Sequence, residues 1–535
     1  MKIEAEFLKY TKSTKQLLRT FKGKSKVLTE LDLIDFTSQN FTKGKLLKMI
    51  KHFHRIKSLI LFWVHIEIAL VKANIMWLKY TNMLNSLILS YPPQKSVMMA
   101  PTFLDSSNIE LIQAIKKTRL KKCSLSLQTC PKEGGYGPIM NKYPFTVSEL
   151  SILSERDTMS LQNITLYQEK ISLAHMINLC KLELLFPLNM ELLIGLLQSI
   201  PYANKLACLG LFIPDKSLTD HDNKFIRDFL QKCSRIKNLR LSFLTWPSFI
   251  ENLAPNLLLE SLNLDLQIHN EEQFLVLAAF IEGLENLQQL ELWITVQRTQ
   301  EDSFEKVYNR EFLSKLKKLK KLSLKYVDEG CNFNLMKPLL QISSISKLLK
   351  ESVYLEELKI HFTERENTDE LHCLVESLEN KASQLKKLEI NFKYQYIKAD
   401  DLQDFINFLD KTSSLEEFTL NKLRVTNLNC LESLKKVLVD SKQLRNVSLN
   451  DISVPTGCGL SLISMIKSLL CKPKLENFSF EVSPLDSMPW TEIEYDEKLY
   501  LPELIERNPS LKNVSVSYYL IFQGLSSEIR AIRWE

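Results

Sequence analysis

Glycine is scarce in this chain, 12 of 535 residues, which leaves few places for loops that cradle phosphates. The GGYG run at 134–137 has no Lys-Ser/Thr after it, so it is not a P-loop. Ten cysteines are present, but none are spaced C-x-x-C, which excludes a zinc knuckle or a thioredoxin-like site. Their scatter over apolar positions suits reduced, buried thiols and a cytoplasmic protein. His52 and His54 form an H-x-H with no carboxylate or third ligand nearby, so they are read as surface histidines. No G-x-S-x-G and no H-E-x-x-H occurs. No catalytic residue, metal ligand or cofactor is therefore assigned, and the chain is expected not to be an enzyme.

Long apolar runs are lacking too. The most membrane-like stretch, 58–78, is broken by His65, Glu67 and Lys72. It falls short of the ~20 apolar residues a span needs. The first sixteen residues are charged throughout, with no apolar core for secretion. Charge of one sign is also missing. A net +6 over 535 residues does not by itself point to nucleic acid.

What the chain does have is one short phrase, L-x-x-L-x-L, repeated. Its cleanest copies are LKKLSL, LEELKI, LKKLEI and LEEFTL, opening at Leu319, Leu355, Leu385 and Leu415. Earlier copies open at Leu28, Ile56, Leu84, Leu120, Leu161, Leu179, Leu206, Ile236, Leu259 and Leu287. Later ones open at Leu444, Leu475 and Leu511. About seventeen phrases result, with steps near 28–36 residues, the signature of a solenoid. Helical patterns lie between them, over 222–235, 271–284, 369–381, 400–411 and 460–472. Asp369 and Asp400 are placed as helix N-caps.

Each unit thus reads as strand, turn, helix and return. Parallel strands need a crossover, and the helix supplies it. The predicted fold is an α/β solenoid, with a curved parallel sheet inside and helices outside. A helical cap is expected over 1–27, the array over 28–518 and a second cap over 519–535. The rhythm breaks near 91–180. There 91–119 and 129–160 read as lengthened loops, and the step of 18 from Leu161 to Leu179 is too short for a full helix. One of those two phrases is therefore out of place. A third long, acidic connection is read at 482–500.

The phrase with a helical connection resembles the long-repeat, ribonuclease-inhibitor-like leucine-rich-repeat proteins, over 28 to about 517. That group includes the Ran GTPase-activating protein and many ciliary, ubiquitin-ligase and immune-receptor scaffolds. The resemblance implies a protein-binding scaffold. It also admits a structural subunit of an axonemal or organellar assembly, a GTPase activator or a ubiquitin-ligase substrate receptor. The family often has Asn or Cys at the ninth template place; here that place holds Phe36, Leu244, Lys393 or Ile452.

Side chains alternate along a strand. The apolar fourth and sixth places point inward, so the third, fifth and seventh places face the open side of the sheet. Trp293 at a seventh place is a candidate partner anchor. Phe62, Tyr167 and Phe212 hold equivalent places. Lys321, Glu357, Lys387 and Glu417 share the third place of four consecutive units, with Lys320, Glu356, Lys386 and Glu416 beside them. Opposite charges then face each other across three gaps, as a structural ladder or as a docking patch. Lys325, Lys359, His361 and Glu389 complete the candidate partner-binding set. The surface is polar and mixed in sign, unlike a nucleic-acid groove. The expected partner is a protein of unassigned identity.

Overall fold

The computed structural model describes, before residue 173, the strand segments 2–4, 30–34, 58–62, 86–90, 122–127 and 149–154. From 173 to 532 it describes all but 175, 186–189, 214–217, 244–245, 254–257, 297–312, 314, 329–341, 362–368, 393–396, 398, 424, 426, 455–458, 485–506 and 521–524. The chain divides into two compact units, Met1–Leu259 and Glu260–Glu535.

In the first unit the described strands are β1 (Lys2–Glu4), β2 (Glu30–Ile34), β3 (Ser58–Phe62), β4 (Ser86–Ser90), β5 (Lys122–Leu127) and β6 (Glu149–Ser154). They are followed by β7 (Lys181–Leu185), β8 (Cys208–Ile213) and β9 (Asn238–Phe243). Each pairs in parallel with the next. Strand β3 occupies the start of the apolar stretch at 58–78. Among the described residues no helix is long and apolar enough to cross a membrane.

Two sequence readings are corrected here. First, 129–160 is not one long loop, because it contains β6. Glu149 pairs with Lys122 on one side and Lys181 on the other. That leaves no slot between β6 and β7 for the Leu161 phrase, which lies outside the described residues. The template in this repeat opens at Val147 (VSELSI), and the irregular step disappears. Second, residues 2–4 form a strand ahead of the expected helix, with Lys2 opposite Asp32. Residues 5–29 lie outside the described residues.

The second unit holds β10 (Ser261–Ile268), β11 (Gln289–Val296), β12 (Lys321–Asp328), β13 (Glu357–His361), β14 (Lys387–Asn391), β15 (Glu417–Asn421), β16 (Asn446–Val454), β17 (Asn477–Pro484) and β18 (Asn513–Leu520). All pair in parallel in chain order. A last strand, β19 (Leu525–Ile532), runs antiparallel to β18. It ends the parallel ladder within the segment expected to be a cap. From β2 to β18 every strand opens at the third place of its phrase, so the template sets the register. The aligned residues Lys321, Glu357, Lys387 and Glu417 sit directly opposite one another in turn.

The fourth and sixth places are the core. Leu358 and Ile360, Leu388 and Ile390, and Phe418 and Leu420 are all 3% exposed or less. Helices face them, as Ala399–Asp410 does by burying Leu402, Phe405, Ile406, Phe408 and Leu409. Further helices run Asp220–Lys232, Glu271–Glu282, Asp369–Leu378, Leu428–Asp440 and Gly459–Leu470. Asp369 is the first residue of its helix and Asp400 the second, so neither is an N-cap. They sit in the first turn, where the helix dipole favours carboxylates. Side-chain caps are instead Thr219, Asn270 and Asn427. Thr219 makes a capping box with Asp222: its hydroxyl accepts from the Asp222 amide, and the Asp222 carboxylate accepts from the Thr219 amide.

Several helices return to their strands through one tight turn, in which the first residue of the phrase donates its N–H to the carbonyl three residues earlier, as in Leu287 to Leu284, Leu355 to Ser352 and Leu475 to Lys472; Leu385 reaches Lys381, four residues back. The side chain three residues before the phrase is buried and polar in four of the later repeats, at Ser352, Thr412, Lys472 and Asn508. The Ser352 hydroxyl has no hydrogen-bond partner among the described residues, and the Thr412 hydroxyl donates to the Leu409 carbonyl of its own turn. Lys472 donates to the carbonyl of Leu438 at 3.1 Å, to that of Val439 at 2.8 Å and to that of Ser441, all in the preceding repeat. Burial pushes its ammonium down from the usual lysine value, with Asp440 pulling the other way. Asn508 donates to Leu470 and Lys472, each at 2.8 Å. These bonds tie the ends of helices Leu428–Asp440 and Gly459–Leu470 to the repeats that follow them.

At the far end of the strand, Lys422 and Asp451 have φ of 56° and 59°. Both occupy the eighth place of their phrases, in consecutive repeats. The register of β16 on β17 shifts there, between Leu449 and Ile452. Ile452, a ninth-place residue, is 3% exposed and belongs to the core. The place where the family often carries Asn or Cys is thus an apolar rung here.

Candidate functional site

The open face of β11–β15 gathers every residue of the candidate set. In β13, Glu357, Lys359 and His361 are half-buried while Leu358 and Ile360 are buried, and β14 and β15 follow the same alternation.

The charges pair across the gaps between strands. Lys321 meets Glu357 at 2.5 Å and Lys387 meets Glu417 at 2.6 Å. Between those gaps the contact moves one place back, to Lys386 and Glu356 at 2.9 Å. At the fifth place Lys359 meets Glu389 at 2.8 Å. The bond from Glu417 raises the Lys387 ammonium above its ordinary value, and Glu356 does the same for Lys386. Exposed pairs of this kind add little to stability one by one. Their common effect is to hold long side chains in one geometry and to favour one register.

Trp293 is half-buried. Its ring lies under Lys325, whose ammonium is 3.3 Å from the ring centroid. The two are cross-strand partners, and the contact is a cation–π pair. The indole is therefore a covered platform rather than a bare anchor. Phe212 in β8 is half-buried, Phe62 lies in β3, and Tyr167 lies outside the described residues.

His361 sits between Lys325, Lys359 and Glu389. Its Nε2 is buried without a hydrogen-bond partner and lies 3.7 Å from the Glu389 carboxylate. Burial pushes its pKa from 6.5 to about 4, helped by Lys359 and Lys325 and opposed by Glu389. It is neutral at physiological pH.

Beyond the charged strands the same face turns to amides and hydroxyls. Asn477 donates to Asn446 at 2.6 Å, Asn450 donates to Asn421 at 2.9 Å, and Ser479 donates to Asn450 at 3.0 Å. A depression of about 410 Å³ over β15–β18 is lined by Glu417, Thr419, Asn446, Ser448, Asn477 and Ser479, among others. Sequence reasoning had no asparagine ladder at the ninth place. The short ladders lie at the third and seventh places instead, and Asn421 and Asn450 at successive seventh places were the available signal. Among the described residues no group of three or more His, Cys, Asp or Glu could hold a metal ion.

No protein-family model matches the chain, and no curated protein matches it. Among solved structures it is similar to the yeast complex of Rad7 and Elc1. That match has 16% identity, covers 64% of this chain and 72% of that one, and has a TM-score of 0.35. It is also similar to LegL7, a leucine-rich-repeat-containing protein of Legionella pneumophila. There the identity is 14%, the match covers 64% of this chain and 95% of that one, and the TM-score is 0.30. Neither likeness bears on what this chain binds. The internal geometry decides the class, since one phrase opens the strand of each repeat with its leucines inward. The chain has a divergent leucine-rich-repeat fold.

Proposed function

We propose that this leucine-rich-repeat chain is a non-catalytic scaffold that holds a client protein on the open face of β11–β15. The observation that carries the reading is the cross-strand pairing of that face. Lys321–Glu357, Lys359–Glu389, Lys387–Glu417 and Lys325 on Trp293 fix four pairs of side chains before any client arrives. A surface ordered in advance loses little side-chain entropy on binding. Its mixed charges favour a protein with a complementary pattern over a polyanion.

The test is affinity purification of the full chain followed by mass spectrometry. A stoichiometric protein should be recovered. It should be lost with Lys359→Glu and with Trp293→Ala, and retained with Lys436→Glu on helix Leu428–Asp440. Circular dichroism must show all three variants folded. Recovery that is indifferent to both face variants would remove the reading.

A further inference from the structure

A second surface lies on the rim where helices return to strands. The two residues before each phrase are its tip. In the second unit most of these tips are polar: Glu285–Asn286, Lys317–Lys318, Ser383–Gln384, Ser413–Ser414 and Lys442–Gln443. Two tips depart from this: the one ahead of β10, where Leu258 is 60% exposed, and Val353–Tyr354, with Val353 54% and Tyr354 57% exposed. Nothing in the fold requires large apolar side chains there, because the neighbouring repeats close the same turn without them.

The tip beside it is basic. Lys321 and Glu357 are register partners. Leu319 and Leu355 close equivalent turns, by bonding to Leu316 and Ser352. By the same register Lys317 aligns with Val353 on one side and with Glu285 on the other, and Lys318 aligns with Tyr354. Lys315, Lys317, Lys318 and Lys320 are all exposed. Lys315 has Glu282 at 3.7 Å, and Lys318 donates to Asn286. Lys317 and Lys320 make no ion pair among the described residues. Glu356, the carboxylate nearest Lys320 in register, is engaged by Lys386.

We infer that this rim, Val353 and Tyr354 beside Lys317, Lys318 and Lys320, is a docking site for an acidic segment of a partner protein carrying one apolar or aromatic anchor. Lys317 and Lys320, which make no ion pair among the described residues, select the sign of the segment, and the exposed Val–Tyr pair accepts the anchor. The site is separate from the open face, so its failure would leave the proposed client surface untouched.

The probe is a fluorescent fifteen-residue peptide of Glu and Gly with one central Trp, titrated into the full chain by anisotropy at low salt. Three control peptides replace Trp by Ala, Glu by Gln, or Glu by Lys. Binding should require both the acids and the Trp, and should weaken with added salt. Tyr354→Ser and the pair Lys317→Glu/Lys318→Glu should each lower affinity about tenfold, while Lys436→Glu leaves it unchanged. Absence of binding would overturn the inference. So would binding insensitive to Tyr354, or binding that Lys436→Glu weakens as much as the rim variants do. Thermal unfolding of each variant separates lost docking from lost fold.

Discussion

Replacing Lys472 with Met removes an ammonium and keeps most of its apolar stem. In the folded chain this 8%-exposed lysine donates to the carbonyls of Leu438, Val439 and Ser441, so it joins one repeat to the end of the previous helix. A hydrogen bond to a charged group contributes ~1.5–3 kcal/mol net. Three such bonds do not simply add, because the ammonium gave up its own hydration to enter. Val439 and Ser441 are also only half-buried, which leaves their carbonyls within reach of water. The expected loss is therefore about 2–4 kcal/mol, near the cost of one charged bond and one stranded carbonyl. Methionine fills the stem's volume, so the cavity term stays small. Urea unfolding followed by circular dichroism measures the change. Hydrogen exchange should show the loosening first in β16 and β17, because a repeat leans on its neighbours. A loss below about 0.5 kcal/mol would refute the reasoning: desolvation of the ammonium would then cancel its bonds.

Acid should destabilise the second unit through His361. Its folded pKa is about 4 against an ordinary 6.5, so between those values the unfolded chain binds a proton that the folded chain does not. That contribution is fully present above pH 6.5 and is lost as pH falls towards 4. It is worth roughly 3 kcal/mol at ~1.36 kcal/mol per unit. Relative to His361→Gln, the wild-type chain should lose that much between pH 7 and pH 4, measured by denaturant midpoints; parallel curves would sink the assignment. Glu357→Lys sets like charges beside Lys321 and Lys387 and should cost about 1 kcal/mol. Adding Lys321→Glu should recover part of it in a double-mutant cycle. Thr219→Ala, which breaks the capping box with Asp222, should cost about 1 kcal/mol in thermal unfolding of the first unit.

The phrase L-x-x-L-x-L by itself determined most of the parallel strands, their inward rows and the pairing of unit with unit. The reason is local, since period-two alternation with leucine at fixed places admits one face for the core. The charge alternation of Lys321, Glu357, Lys387 and Glu417 was legible for the same reason, because equal template places must align. Val147 hid the β6 phrase, since a valine opening among Ser and Glu reads as loop until its neighbours pair with it. Other features belonged to the tertiary structure alone. Lys325 covers Trp293, Lys472 reaches carbonyls some thirty residues earlier in the chain, and Glu356 turns to Lys386 rather than Lys320. The template states which strand stands beside which. It does not state where a long, flexible side chain ends, and that is settled only when the neighbouring repeat supplies the partner.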